Sequence, residues 1–263
     1  MENKPTYQKS SIFQPNKTIA IFGYLIGLFV SSLFLQYIVA FIASNAMNVD
    51  YDTLLKSITD SEIVLSGKLI EANALAQGLL NLFAYLISAI FVIFYMRDDI
   101  ALDFKDLFNR KKFHAIYIPI AGIIFMIFAF LLDLLFAQLV TDSENQETIV
   151  NIMTSGGAIP MIIATIILAP IVEELIYRKV IFHYFKKKGI WLCYLLSIVL
   201  FTLPHMLTTT SNVGIWLIQS LPYAISAFML CFIYHKSNYN IYSSIAAHAF
   251  NNILAVILVY MTM

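Results

Sequence analysis

Long apolar runs separated by short polar connections make up most of the chain. A membrane-spanning helix needs about 20 consecutive, mostly apolar residues. Seven stretches fit this length: 18–43, 74–96, 114–139, 158–185, 190–209, 213–235 and 241–262. The first is too long for the apolar part of a signal peptide, so we expect it to be retained as a helix. The pattern predicts an all-α, polytopic membrane helix bundle with about seven transmembrane helices, give or take one.

The distribution of Lys and Arg predicts the orientation of these helices. Cytoplasmic connections are enriched in both residues. Of the 16 basic residues, all but Lys56 and Lys68 lie in the N-terminal tail, in the second and sixth connections, or in and just before the fourth connection. These segments alternate along the chain, which predicts an N-terminus inside the cell and a C-terminus outside.

Two connections have apolar residues at helical spacing. In the second, Ile100, Phe104, Leu107 and Phe108 recur among charged residues, which predicts an interfacial helix on the cytoplasmic face. The segment around Ile149 has a similar but weaker pattern, and a short connector explains it equally well.

The composition agrees with a protein surrounded by lipid. Hydrophobic residues make up 60% of the chain and charged residues 12%, whereas soluble domains have about 25% charged residues. This excludes a soluble cytosolic enzyme. The 16 basic and 16 acidic residues balance, which argues against a nucleic-acid partner. Both cysteines lie in apolar runs, so we expect no disulfide framework.

Ionisable side chains within the predicted spans are the strongest indication of function. Each costs about 2.5–3.5 kcal/mol on insertion scales, so each is a candidate functional residue. This set, with one amide added, consists of Asp133, Glu173, Glu174, Arg178, His183, His205, His248 and Asn252.

The fourth span contains three of these groups within six residues. Glu174 and Arg178 are an i, i+4 pair with the acid first, the better orientation for an ion pair. Successive residues of a helix point about 100° apart, so Glu173 is directed elsewhere. We expect a structural ion pair and a carboxylate left for chemistry as a general base. A purely structural charge cluster is the alternative.

The fifth and seventh spans add polar groups one helical turn apart. Phe201 and His205 share a face, as do His248 and Asn252. At 1.5 Å per residue, Glu173 and His205 lie about 20 and 26 Å from the lysine-rich cytoplasmic turn. By the same rise, His248 and Asn252 lie about 12 and 18 Å beyond Asn240, which precedes their span. One intramembrane cavity lined by all these groups is therefore geometrically allowed.

Three motifs in this order resemble those of a known family. They are EExxxR, FxxxH and HxxxN, here Glu173-Glu174-xxx-Arg178, Phe201-xxx-His205 and His248-xxx-Asn252. In order and spacing they resemble the CAAX-protease and bacteriocin-processing family of intramembrane endopeptidases. This family is also called the Abi or type II CAAX prenyl endopeptidase family. The resemblance covers residues 158–262, so we divide the chain into an N-terminal part, 1–157, and a motif-bearing core, 158–263.

The resemblance implies a role for each motif residue. Glu173 and His205 would activate a water molecule for hydrolysis of a peptide bond in or near the membrane. His248 and Asn252 would stabilise the oxyanion. Glu174 and Arg178 would support the site, with Phe201 beside them.

Several features stay open in the sequence. Some descriptions of the family name it a metalloprotease, and Glu173, His205 and His248 have atoms that could bind zinc. The chain has no HExxH spacing, so we favour catalysis without a cofactor. A non-catalytic membrane partner or bacteriocin-immunity protein of the same fold is the main alternative. A transporter is less favoured because no paired repeats are visible.

The expected partners are membrane lipid and a peptide or membrane-protein substrate. Bacterial relatives act on substrates other than prenylated tails, and we expect a multi-pass protein of the bacterial cytoplasmic membrane. The oligomeric state is not indicated by the sequence.

Overall fold

A computed structural model describes residues 15–60, 65–136, 143–207 and 212–261 of the chain. Within these ranges all regular elements are helices, which confirms the predicted all-α membrane bundle. The α-helices are α1 (Pro15–Leu25), α2 (Ser31–Met47), α3 (Tyr51–Thr59), α4 (Lys68–Asn109), α5 (Lys111–Phe136), α6 (Glu144–Met153), α7 (Ala158–Ile163), α8 (Ala169–Glu174), α9 (Ile190–His205), α10 (Val213–Lys236) and α11 (Ile241–Met261).

Each predicted span corresponds to a helix or a helical pair. Five described segments are long and apolar enough to cross a membrane: α4, residues 111–132 of α5, residues 158–182, α10 and α11. A sixth candidate is the pair formed by α1 and α2, which bends by 46°. The predicted span 190–209 contains α9, a shorter apolar helix. The predicted orientation in the membrane stays a prediction.

The second connection does not form a separate interfacial helix. Instead α4, which is 42 residues long, continues through it to Asn109, because residues 97–109 contain no Gly or Pro to end the helix. Its acidic residues tie this extension to the bundle. Asp103 Oδ2 accepts hydrogen bonds from Lys179 Nζ at 2.5 Å and from the backbone N–H of Ile241 at 2.9 Å. The predicted apolar face is thus part of a long helix held at its far end.

The segment around Ile149, with the weaker apolar pattern, forms the helix α6. Its Ile152 and Met153 are buried and pack with Met161 and Val256, so this apolar face contacts the protein core. Ser143 caps the helix by accepting a hydrogen bond from the N–H of Gln146.

The fourth span lies at the centre of the bundle and is not a regular α-helix. Two π-helical segments, Ala164–Leu168 and Leu175–Phe182, alternate with α7 and α8. Of its most apolar stretch, 56% is buried, against 22% or 28% for the other long spans. Because protein surrounds this span on most sides, its polar groups can be paired with protein partners rather than exposed to lipid.

The long helix α4 packs against α1, α2 and α7. Its contact with α7 depends on glycine: a Cβ on Gly157 would lie 2.1 Å from the carbonyl oxygen of Ala74. This close approach brings the N-terminal helices against the motif-bearing span. The side chain of Asp133 lies outside the described part of the chain.

Candidate active site

Glu173 and Glu174 end the short helix α8 and are both buried, with 3% and 0% of their surface exposed. The π-helical segment that follows begins at Leu175. Single π turns inside helices occur frequently at functional sites. The two carboxylates have different partners, and each set of partners comes from a different part of the chain.

Glu174 lies in a pocket of cationic and aromatic groups from the C-terminal helices. Its Oε1 atom is 3.1 Å from Nη1 of Arg178 and 3.0 Å from Nδ1 of His248. The predicted ion pair is therefore present, and His248 joins it. Because a carboxylate only accepts hydrogen bonds, Nδ1 of His248 carries the proton.

Arg178 links two further helices to this pocket although its side chain is fully buried. Its Nη2 atom donates to the carbonyl oxygen of Ala227 in α10 at 3.2 Å. The guanidinium carbon lies 4.7 Å from the centre of the Phe201 ring, a cation–π contact with α9. Phe201 in turn meets His248 edge-on, with ring centres 5.9 Å apart.

Glu173 faces the N-terminal helices instead. The hydroxyl of Tyr85 in α4 donates to its Oε1 atom at 2.6 Å, a short, charge-assisted hydrogen bond if the carboxyl is ionised. Tyr177 and Tyr24, whose hydroxyls lie 2.9 Å apart, are close enough to interact electrostatically with Glu173. A group of tyrosines thus surrounds this carboxylate.

His205 is held rigidly at the end of α9. Its Nδ1 atom is 2.8 Å from the carbonyl oxygen of Phe201, so Nδ1 donates and Nε2 is the ring nitrogen left to accept. The ring stacks on Phe201, with centres 4.8 Å apart, and lies 4.8 Å from the ring of Tyr223 in α10. Tyr223 is itself within hydrogen-bond distance, 3.0 Å, of the Ser143 hydroxyl. The imidazole therefore has its orientation and tautomer fixed.

Asn252 in α11 contacts the backbone of the fourth span. Its Nδ2 atom donates to the carbonyl oxygen of Thr165 at 2.8 Å. The amide nitrogen has two N–H groups, so this bond leaves the second one for another acceptor.

The structure thus connects the three motifs. Glu174, Arg178, His248, Phe201 and His205 form a continuous chain of contacts. Glu173 adjoins this chain through the helix backbone, and its own hydrogen bond goes to Tyr85. Asn252 joins through Thr165.

Sequence reasoning missed Tyr85, Tyr223 and Thr165. No motif marks them, and a tyrosine in an apolar helix looks the same in sequence whether it packs, anchors at an interface or binds a carboxylate. Tyr85 belongs to the N-terminal part of the predicted division, so the polar network crosses that boundary.

The described residues contain no group of three or more His, Cys, Asp and Glu side chains placed to hold a metal ion. The carboxylate that contacts His248 also faces Arg178, whose positive charge opposes a cation at the same oxygen. We therefore derive no step through a metal.

Comparison with known proteins gives a match over the motif-bearing core. Residues 155–254 match the family model described as Rce1-like, type II CAAX prenyl endopeptidase. The predicted resemblance is confirmed over this region: residues 155–254 are similar to that family, within a chain whose long apolar helices are those of a multi-pass membrane protein.

One curated relative is similar over a short segment. The chain is 47% identical over 49 residues to UPF0177 protein YbdI of Lactococcus lactis subsp. lactis (strain IL1403). The match covers 19% of this chain and 26% of that protein. The chain thus spans about a quarter of the relative it matches. No solved structure matches the chain.

Proposed function

We propose that this protein is an intramembrane endopeptidase that hydrolyses a peptide bond in or beside the membrane. Glu173 and His205 activate the attacking water, and His248 and Asn252 stabilise the oxyanion. Glu174, Arg178 and Phe201 hold these groups in place. No resident cofactor is part of the proposal.

The observation that carries the proposal is the separation of the two buried glutamates. Glu174 contacts Arg178 and His248 through Oε1, and its Oε2 atom is buried without a hydrogen-bond partner. The hydrogen bond of Glu173 comes instead from a neutral hydroxyl at one oxygen, so the two carboxylates differ in the charge beside them. The second oxygen of Glu173 can accept a proton from water. A carboxylate neutralised by a cation would be a weaker base.

In the proposed reaction the water hydrogen-bonds to Glu173 and to Nε2 of His205. As its oxygen attacks the carbonyl carbon, its proton passes to Glu173 and the carbonyl electron pair moves onto oxygen. The free N–H of Asn252 and Nε2–H of His248 donate to this oxyanion. Because Nδ1 of His248 already donates to Glu174, this role requires an imidazolium. When the intermediate collapses, the C–N bond breaks and Glu173 returns the proton to the leaving amine.

The proposed substrate is a peptide or membrane protein reached from the lipid of a bacterial cytoplasmic membrane. The matched family model is described as a CAAX prenyl endopeptidase, so a farnesylated CAAX peptide is one synthetic probe, and the comparison of membrane peptidomes covers peptides of other kinds. A peptide without the prenyl group, otherwise identical, tests whether the lipid is needed.

Glu173→Gln is the most direct test. The amide oxygen still accepts from Tyr85, so the variant should fold and accumulate normally while it cannot take a proton. We expect hydrolysis to fall by at least about 10²-fold, since general base catalysis contributes 10²–10⁴. The measurement compares membrane peptidomes of cells that express the wild-type chain, Glu173→Gln or His205→Ala.

Peptides that appear only with the wild-type chain would define the cleavage site and supply a quenched fluorescent reporter peptide for kinetics. Identical peptidomes at equal protein levels would contradict the proposal. If a cellular phenotype also survives both substitutions, a non-catalytic membrane partner or immunity protein is the better assignment.

A further inference from the structure

The backbone hydrogen bonds of the fourth span leave the carbonyl of Thr165 without its donor. At the end of the π-helical segment Ala164–Leu168 the N–H of Ala169 bonds the carbonyl of Ala164, five residues back. The next donor in this register is residue 170, which would bond Thr165. That residue is Pro170, which has no N–H.

Thr165 also lacks the donor of an ordinary α-helix. That donor would be the N–H of Ala169, which the π turn directs to Ala164 instead. A carbonyl left unpaired at membrane depth is costly because lipid offers no hydrogen bond. The side chain of Asn252 supplies one at 2.8 Å, from a helix 87 residues further along the chain.

We infer that Pro170 and the π turn are a positioning device: they expose the Thr165 carbonyl so that it orients the amide of Asn252. One N–H of the amide is fixed on this carbonyl, and the amide is planar, so the direction of the other N–H is fixed as well. Pro170 and Thr165 are positioning residues, and Asn252 is the group that touches the reacting oxygen. This inference rests on the proposed function for its catalytic part.

These hydrogen bonds predict that adding Pro170→Ala to Asn252→Ala restores stability but not activity. Asn252→Ala removes both the catalytic donor and the partner of the Thr165 carbonyl. Pro170→Ala restores a backbone N–H in the register of that carbonyl. In the double variant the carbonyl is paired again, but no oxyanion donor remains.

The test is a double-mutant cycle on the full chain, purified and reconstituted in lipid vesicles. Asn252→Ala should lower the unfolding temperature by about 2–4 °C, and adding Pro170→Ala should recover most of that loss. The kcat for the quenched fluorescent reporter peptide should fall about 100-fold in Asn252→Ala and stay there in the double variant. Pro170→Ala alone should lower kcat about 10-fold with KM within about twofold, because the new N–H competes for the carbonyl and frees the amide.

Pro160→Ala is the matched control. Pro160 is a buried proline in the first turn of α7, where amides have no intrahelical acceptor, so its replacement should leave kcat unchanged. Pro170→Gly supplies the same N–H with a different side chain and replaces Pro170→Ala if that variant does not fold.

Three results would overturn the inference. One is a kcat of the wild-type value in Pro170→Ala. Another is that Pro170→Ala lowers kcat as much in the Asn252→Ala variant as it does in the wild-type chain. The third is no recovery of stability in the double variant. Full activity of Asn252→Ala would refute its oxyanion role, and with it the catalytic part of this inference, while hydrolysis that depends on Glu173 stands. Full activity of Glu173→Gln would refute the proposed function itself.

Discussion

Glu173 and Glu174 are adjacent in the chain and equally inaccessible, yet the structure places them in two unlike regions. The region around Glu174 is made by Arg178 and His248, which belong to the C-terminal helices. The region around Glu173 is made by tyrosines, of which Tyr85 donates from the N-terminal helix α4. One region contains positive charge, and the other contains neutral hydroxyl groups.

This difference separates stability from chemistry. A buried ion pair with additional hydrogen bonds holds its members in one geometry, and breaking it leaves an uncompensated charge. A carboxylate that accepts only from a hydroxyl is oriented but keeps an oxygen for a proton. Changes in the first region should therefore act on folding, and changes in the second should act on turnover.

The largest effect is expected from Arg178→Ala. This change removes the positive charge beside Glu174, its bond to the Ala227 carbonyl and its contact with Phe201. Removing one partner of a buried ion pair costs about 3–5 kcal/mol. We expect a large loss of folded protein, measured by thermal unfolding in detergent and by yield.

Two further variants test this explanation. Arg97→Ala removes an arginine whose side chain is 63% exposed, so it should leave the unfolding temperature unchanged. The double variant Arg178→Met with Glu174→Gln removes both charges and should recover part of the stability. A double variant no more stable than Arg178→Ala would show that the charge imbalance is not the cause.

An intermediate effect, now on turnover, is expected from Tyr85→Phe. The variant keeps the ring but loses the hydroxyl that holds Glu173. A hydrogen bond to a charged group contributes about 1.5–3 kcal/mol. We therefore expect kcat for the reporter peptide to fall by about 10-fold or more, with KM little changed.

Tyr234→Phe is the matched control for this prediction. Its buried hydroxyl lies 2.9 Å from Nδ1 of His183, away from the two glutamates. Tyr234→Phe should lose about as much stability as Tyr85→Phe and keep the wild-type kcat. If both variants lose turnover equally, the role of Tyr85 is packing rather than orientation of Glu173.

The smallest effect on stability is expected at Asp50. This exposed carboxylate serves as a baseline for the buried Glu173 and Glu174. Asp50 caps α3 by accepting from the backbone N–H of Thr53 at 2.9 Å and from its hydroxyl at 2.8 Å. These hydrogen bonds lower the pKa of Asp50 below 3.8. Because the folded pKa is lowered, the cap stabilises above the unfolded pKa and is lost as pH falls through the folded value.

Asp50→Ala should therefore lower the unfolding temperature slightly at pH 7, and the difference from wild type should vanish in acid. Asp50→Asn keeps a capping oxygen without titrating, so it should stay close to wild type at pH 7. A pH-independent difference between Asp50→Ala and wild type would contradict the assignment.

Hydrophobic pattern and local spacing were enough to predict much of this protein. In the described part of the chain, five predicted spans correspond to segments long and apolar enough to cross a membrane, a sixth to the bent pair α1 and α2, and the seventh to the shorter helix α9. This much was predictable because the length of an apolar run is a local property that the membrane thickness selects. The Glu174–Arg178 pair was predictable for the same reason, since the two residues are one turn apart. Three motifs in order were enough to indicate the family whose model residues 155–254 match.

Contacts between distant segments were decided only by the tertiary structure. Tyr85 and Glu173 are 88 residues apart, and Asn252 and Thr165 are 87 apart, and neither pair has a periodicity that links its members. The π turns of the fourth span depend on the helices around it, so a regular period of 3.6 residues could not predict them. The sequence by itself determined which side chains are costly in a membrane. The packing of α4 and α11 against the fourth span determined which partners each of them has, with positive charge beside Glu174 and a neutral hydroxyl on Glu173.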